Sequence, residues 1–504
     1  MMEIFGNLAM GFGVALTFTN IMYCFIGVML GTLIGVLPGI GPIATISMLL
    51  PATFVLPPVS ALIMLAGIYY GAQYGGSTTA ILVNLPGEVS SVVTCLDGYQ
   101  MARQGNAGKA LGISALSSFF AGTVATFLIA GFAPPLAELA LKFGPADYFS
   151  LMVLGLIAAV VLAHGSLIKA IAMILLGLLL GLIGTDVNSG VARYNLGMPE
   201  LIDGVGIGVV AMGVFGFAEI IRNLEQGEKR EVFTKSIHGL LPNWSDIKQA
   251  SLPTLRGTTL GAMLGILPGG GPVLGAFSAY TLEKKLAKDP SRFGKGAIEG
   301  VAAPESANNA AAQTSFIPLL TLGIPSNPVM ALMIGAMIIH GIQPGPQIMT
   351  AKPELFWGMI ASMWVGNFLL VVLNLPLIGL WVKLLSVQYR FLYPAILVFC
   401  CIGVYSINNA TMDVYLTALF GLIGYVFIKL DCEPAPLLLG FVLGPMMEEN
   451  LRRALLLSRG DPAVFFTRPI SATLLVIAGL LLVIVFAPSI SKKREEAFQE
   501  PPPV

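Results

Sequence analysis

Two stretches of this 504-residue chain concentrate side chains that could do chemistry. The first holds Gln73, Ser77, Thr78, Thr79 and Asn84; the second holds Glu305, Ser306, Asn308, Asn309, Gln313, Thr314 and Ser315. Apart from Glu305, these hydroxyls and amides donate and accept hydrogen bonds without carrying permanent charge. That is the chemistry of holding a solute or an ion, although the same groups can also hold helices together. No HExxH, GxSxG or paired-histidine pattern accompanies them, so an embedded enzyme would lack its catalytic set. His164, His238 and His340 are scattered, and Cys24, Cys95, Cys400, Cys401 and Cys432 show no CxxC spacing. Neither a metal centre, a disulfide nor a cofactor is expected from them.

A second kind of site is made of backbone. The run Gly31-Thr-Leu-Ile-Gly35-Val-Leu-Pro38-Gly39-Ile-Gly41-Pro42 is echoed by Gly261-Ala-Met-Leu-Gly265-Ile-Leu-Pro268-Gly269-Gly-Gly271-Pro272. Proline lacks the N–H and breaks the helical ladder. In lipid such a break is tolerated only where protein buries it or where it lines a wet cavity. Pro38, Gly39, Gly41, Pro42, Pro268, Gly269, Gly271 and Pro272 are therefore candidate tips of broken or re-entrant helices. Free N–H groups at a half-helix start attract anions such as carboxylates, and free carbonyls suit sodium ions. Tight packing points or simple turns are the plainer alternative.

The elements that must position these groups follow from composition. At 56% hydrophobic, 11% charged and a mean hydropathy of +0.84, the chain cannot fold in water without leaving large apolar surfaces exposed. Lipid is its expected solvent. Spanning helices need roughly 20 apolar residues, and the windows 20–37, 150–163, 170–184, 355–373, 415–428 and 472–486 meet or approach that length. We expect an all-α integral membrane protein with about 10–12 membrane segments. Lys and Arg number 27 and Asp and Glu 27, which gives no reason to expect a nucleic-acid partner or a polybasic lipid anchor. The first basic residue is Arg103, so no removable signal peptide is expected. Glu305, without a basic neighbour in sequence, is costly in a membrane and is a functional candidate for that reason.

The two Gly/Pro runs lie 230 positions apart, from Gly31 against Gly261 to Pro42 against Pro272. A weaker echo places the stretch Gly75 to Gly87, with Ser77, Thr78 and Thr79, against the stretch from Thr314 and Ser315 to Ser326 at an offset of 239. Such periodicity implies two repeats: residues 1–221 as a first transmembrane repeat, 222–252 as a polar cytoplasmic linker, 253–490 as the second repeat and 491–504 as a disordered tail. The loop after the second Gly/Pro run carries five basic residues up to Lys295, and its counterpart before Pro58 carries none. Cytoplasmic loops accumulate Lys and Arg, so the repeats are expected to be inverted. Arg452, Arg453, Arg459 and Arg468 run against this scheme, because they precede the last apolar span and fall opposite the basic tail.

These residues carry a resemblance. Gly67-Ile-Tyr-Tyr-Gly-Ala-Gln-Tyr-Gly-Gly-Ser-Thr-Thr79, Asn84-Leu-Pro-Gly-Glu88, Ala303-Pro-Glu-Ser-Ala-Asn-Asn309 and Glu448-Glu-Asn-Leu-Arg-Arg453, with both Gly/Pro runs, resemble the TctA family over nearly the whole chain. That family supplies the large membrane subunit of tripartite tricarboxylate transporters. The resemblance implies secondary active uptake of citrate or another organic carboxylate across the bacterial inner membrane. It also implies a coupling cation (sodium or proton), a small TctB-like membrane subunit and a periplasmic TctC-like solute-binding protein. Gly270 stands where the first run has Ile40. On this reading the Gly/Pro tips supply backbone ligands, and Ser77, Thr78, Thr79, Asn84, Asn308, Asn309, Thr314 and Ser315 supply side chains beside Glu305. A passive channel for small organic anions would need the same polar lining but no coupling ion.

Overall fold

The computed structural model describes residues 2–37, 41–84, 87–162, 166–186, 189–226, 239–267, 271–385 and 389–486. It is 81% helical, and the described strands form one small antiparallel pair, Gly184–Thr185 with Ala192–Arg193. Each of the six apolar windows named above lies largely on a helix, and 20–37 and 170–184 run a few residues past their helix ends at Gly35 and Gly181. Four helices are long and apolar enough to cross a membrane: Phe18–Gly35, Ala102–Ala140, Pro353–Asn374 and Thr411–Lys429; six shorter apolar helices accompany them. Large apolar side chains such as Phe18, Phe127, Phe132, Leu175, Val426 and Leu480 are exposed on the outer surface. An exterior of this kind suits lipid.

The helices that build the site are labelled in chain order. They are α1 (Phe18–Gly35), α2 (Pro42–Thr53), α3 (Pro58–Val83), α4 (Ala107–Ala140), α5 (Trp244–Ile266), α6 (Gly271–Leu286), α7 (Glu299–Thr314) and α8 (Pro328–Ile339). Both Gly/Pro runs interrupt a helix: α1 stops at Gly35 and α2 starts at Pro42, and α5 stops at Ile266 and α6 starts at Gly271. Proline at the first helical position costs nothing, because that N–H has no partner in the helix. The linker expected at 222–252 contains the start of α5, which runs across position 253; Asn243 and Asp246 close its first turn with a capping box. Residues 227–238 and the tail from 487 lie outside the described residues.

Helix pairs are joined along two glycine seams. On α1, a Cβ added at Gly27, Gly31 or Gly35 would overlap the backbone carbonyl of Met64, Ile68 or Ala72 on α3. On α5, a Cβ added at Gly257, Gly261 or Gly265 would overlap that of Ala303, Ala307 or Ala311 on α7. Small residues four apart let two backbones touch. The seams correspond at the offsets of the sequence echoes: 230 between the glycines and 239 between their carbonyl partners.

The other walls follow from this pairing. Helix α7 packs against α4, α5 and α6, and Pro353–Asn374 packs against α1, α3 and α4. From Gly300 to Thr314, α7 is buried at every residue, and α3 is buried from Ser60 to Val83. Polar side chains on these helices therefore have to find partners inside the protein. The main apolar core, with Tyr69, Phe316, Phe356 and Trp357, lies against the same helices.

Three of the four awkward arginines prove to be paired. Arg468 meets the fully buried Asp147 at 2.6 Å, Arg452 meets Glu448 at 2.6 Å and Asp186 at 3.1 Å, and Arg453 meets Glu449 at 2.5 Å. A cation held by a carboxylate is a different object from the free loop charge that the positive-inside rule counts.

Candidate functional site

Glu305 sits on α7 directly after Pro304, and it is 1% exposed. Both carboxylate oxygens are occupied by hydroxyls. Ser77 of α3 donates to Oε1 at 2.9 Å, as does Thr94 of the single helical turn Val92–Thr94. Ser114 and Ser118 of α4 donate to Oε2 at 2.9 and 3.5 Å. The two serines are four residues apart, so one helix face presents both. Asn309, one turn beyond Glu305, completes the group: its Nδ2 donates to Ser118 Oγ at 2.8 Å and to the Glu305 carbonyl at 3.0 Å. Among the described residues no Lys, Arg or His pairs with this carboxylate.

A second carboxyl stands beside the first. Glu88 is only partly buried, and its chain passes so close to α3 that a Cβ on Gly76 would lie 2.8 Å from its Cγ. Asn308 Nδ2 lies 3.4 Å from Glu88 Oε1. Ser90 Oγ is in donor range of both Glu88 Oε1 and, at 3.0 Å, Gln73 Oε1. Asn308, three residues beyond Glu305 on α7, ties the two carboxyls into one cluster, where like charges oppose each other. Three buried polar atoms nearby have no hydrogen-bond partner: Asn308 Oδ1, Gln313 Oε1 and Asn327 Nδ2. A buried group left unpaired in this way loses about 1–3 kcal/mol unless a ligand or water meets it.

The structure sorts the residues expected from sequence. It brings Ser77, Glu305, Asn308 and Asn309 into one cluster. Thr78 and Thr314 bond the carbonyls one turn back on their own helices, Tyr74 and Ala310. Ser315 bonds the Ala312 carbonyl, and Thr79 bonds the carbonyls of Gly75 and Val36. Asn84 caps the end of α3 in the left-handed conformation (φ 55°) with its side chain exposed; asparagine tolerates that region better than most residues. Gly41 and Pro42 open α2, and Gly271 and Pro272 open α6. Pro38, Gly39, Pro268 and Gly269 lie outside the described residues.

Helix α8 ties the two openings together. It packs against α2, and its N-cap Asn327 stands beside Gly271, where an added Cβ would come 3.5 Å from the Asn327 Cβ. The Asn327 side-chain Oδ1 accepts from Met330 N at 3.0 Å, which leaves Nδ2 without a hydrogen-bond partner near the start of α6. The Tyr69 hydroxyl sits among Gln73, Ser315 and Asn327 and so links this corner to the carboxyl cluster.

Sequence reasoning missed Glu88, Ser90, Thr94, Ser114 and Ser118. A signal existed for three of these positions. Glu88 is an acidic residue immediately after a Leu-Pro-Gly break with no basic residue before Arg103, and Ser114 and Ser118 mark one face of an otherwise apolar helix. Ser90 and Thr94 belong to a short irregular stretch where no periodicity points to a partner.

With this geometry in place, the comparisons with known proteins gain meaning. A family model described as "Tripartite tricarboxylate transporter TctA family" matches residues 21–439. An Agrobacterium vitis protein described as "Uncharacterized 52.8 kDa protein in TAR-I ttuC' 3'region" is 60% identical over 500 residues, covering 99% of this chain and 100% of its own. Another from the same organism, "Uncharacterized protein in TAR-II ttuC' 3'region", is 62% identical over 240 residues, covering 48% of this chain and 99% of its own. No solved structure matches.

Proposed function

Because this chain belongs to the tripartite tricarboxylate transporter TctA family, we propose that it is the large membrane subunit of a secondary active transporter for an organic carboxylate. The observation that carries the reading furthest is Glu305, a carboxyl buried among four hydroxyls with no basic partner among the described residues. A charge without a counter-ion inside a membrane protein marks an ion or substrate pathway. The cluster is rich in hydroxyls, amides and carboxyls, and it contains no catalytic nucleophile paired with a base.

In this reading a cation, sodium or proton, is held at the carboxyl cluster. The carboxylate solute is held by the helix openings at Gly41–Pro42 and Gly271–Pro272, with the free amide nitrogen of Asn327 as a further donor. Helix starts favour anions through their free N–H groups and partial positive charge. The matching glycine seams and the unequal basic loops support two inverted repeats, with alternating access arising from one helix group moving against the other. The family supports a small membrane subunit and a periplasmic solute-binding protein as partners, and a multi-pass location in the bacterial inner membrane.

The test is uptake of a labelled carboxylate panel, citrate included, into vesicles holding this chain and its small partner. Binding protein and an imposed sodium gradient are each added or withheld. Accumulation that requires both supports the proposal, and equilibration without accumulation replaces it with a channel. Cysteine labelling that places positions near Pro57 and Lys288 on one side of the membrane would overturn the inversion.

A further inference from the structure

We propose that Glu88 and Glu305 are two sodium-loading stations in series, an outer and an inner one, each filled once per transport cycle. The inference rests on the transport reading for its meaning but not for its geometry. Glu305 is closed off from solvent, whereas Glu88 is partly exposed, so an ion arriving from solvent meets Glu88 first. Asn308 joins them: it is one turn from Glu305 on α7, and its amide meets Glu88.

The donor sets are oxygen sets, as a hard cation requires. Beside Glu88 stand Gln73 Oε1 and Ser90 Oγ, and Asn308, whose Nδ2 meets Glu88, carries an Oδ1 that is fully buried and unpaired. A proton on Glu88 would use only one acceptor, whereas a sodium ion takes several oxygens at once. Around Glu305 stand the hydroxyls of Ser77, Thr94, Ser114 and Ser118, each free to rotate its proton away and offer a lone pair. The other titratable groups facing the pair are the Tyr69 phenol near Glu88 and the Tyr74 phenol and Cys95 thiol near Glu305. None of these supplies positive charge.

An order of events follows. Two ionised carboxyls repel each other and any arriving anion. Both must therefore be neutralised before a carboxylate solute can settle nearby, so cation loading precedes solute binding and at least two positive charges accompany each solute.

The measurement is equilibrium binding of radioactive sodium to the purified full-length chain, with no carboxylate and no partner subunit present. We expect two equivalents per chain for the unaltered protein and one for each of Glu88→Gln, Asn308→Ala and Glu305→Gln. Glu88→Asp should recover the second equivalent, and a monodisperse gel-filtration peak for every variant excludes misfolding. The proposal is overturned by one equivalent or none in the unaltered chain, by two retained in Glu88→Gln and Asn308→Ala, or by proton exchange without bound sodium. Failure of the carboxylate-transport reading would appear only in the vesicle assay and leave this result intact.

Discussion

Ser77 and Glu305 stand 228 positions apart in the chain, yet the serine hydroxyl donates a 2.9 Å hydrogen bond to the glutamate's Oε1. Each residue sits on a seam-bearing helix, so this bond is one of the polar contacts that join the two seams. Thr78, the next residue, points its hydroxyl back to the Tyr74 carbonyl. Hydrogen bonds to charged groups contribute about 1.5–3 kcal/mol. Ser77→Ala should therefore lower the initial uptake rate in vesicles about tenfold, while Thr78→Ala should stay within about twofold of the parent. Equal effects from the two variants would contradict this assignment.

Glu305 allows a separation of charge from shape. Glu305→Gln keeps the volume and one of the two acceptor oxygens, and its NH2 can donate to hydroxyls that rotate to accept, so the chain should remain folded while cation-dependent uptake is lost. Glu305→Leu strands the hydroxyls of Thr94, Ser114 and Ser118 in a dry site, whereas Ser77 keeps the Gln73 carbonyl at 3.1 Å. At about 1–3 kcal/mol for each group left unpaired, that variant should show a clearly lower Tm in detergent. A Glu305→Gln chain that still accumulates solute would remove the carboxyl from the mechanism.

Asn327 has two separable jobs. Its oxygen caps α8, and its nitrogen is free beside Gly271. Asn327→Ser retains a capping oxygen, so the stability cost should be only a few tenths of a kcal/mol. With the donor gone, the KM for the carboxylate should rise several-fold while sodium dependence is unchanged. A shift in sodium dependence alone would place this residue with the cation.

The seams make a structural prediction that needs no transport assay. Gly31→Ala or Gly261→Ala puts a methyl group against a backbone carbonyl, and overpacking of this kind costs about 1–3 kcal/mol. Gly131→Ala, on α4 with open space around it, should leave the Tm unchanged or raise it slightly. Thermal unfolding of the three variants side by side would decide the matter.

What the sequence could reveal was set by the range of each signal. Apolar length located the helices, and the recurring Gly/Pro runs located both breaks, because those signals are local. Glu305 stood out because a lone acid in apolar surroundings is expensive wherever it folds. Its hydroxyl partners did not stand out, since Ser114 and Ser118 become ligands only when α4 is laid against α7. Thr78, Thr79, Thr314 and Ser315 look like ligands in sequence for the opposite reason. A hydroxyl in a buried helix can satisfy itself on the carbonyl a turn behind, and nothing in one dimension distinguishes that from a hydroxyl aimed at a solute. The ion pair of Arg468 is hidden from the sequence in the same way, because its partner Asp147 lies 321 positions away.

Along each glycine seam the backbones touch with no layer of side chains between them. Two rods in contact at every turn cannot slide without lifting apart, so α1 with α3, and α5 with α7, behave mechanically as single stiff beams. Displacement during a working cycle then has to be taken up between the beams, where hydroxyls can trade partners at little cost. A covalent cross-link within a beam should be harmless, and one between beams should stall the machine.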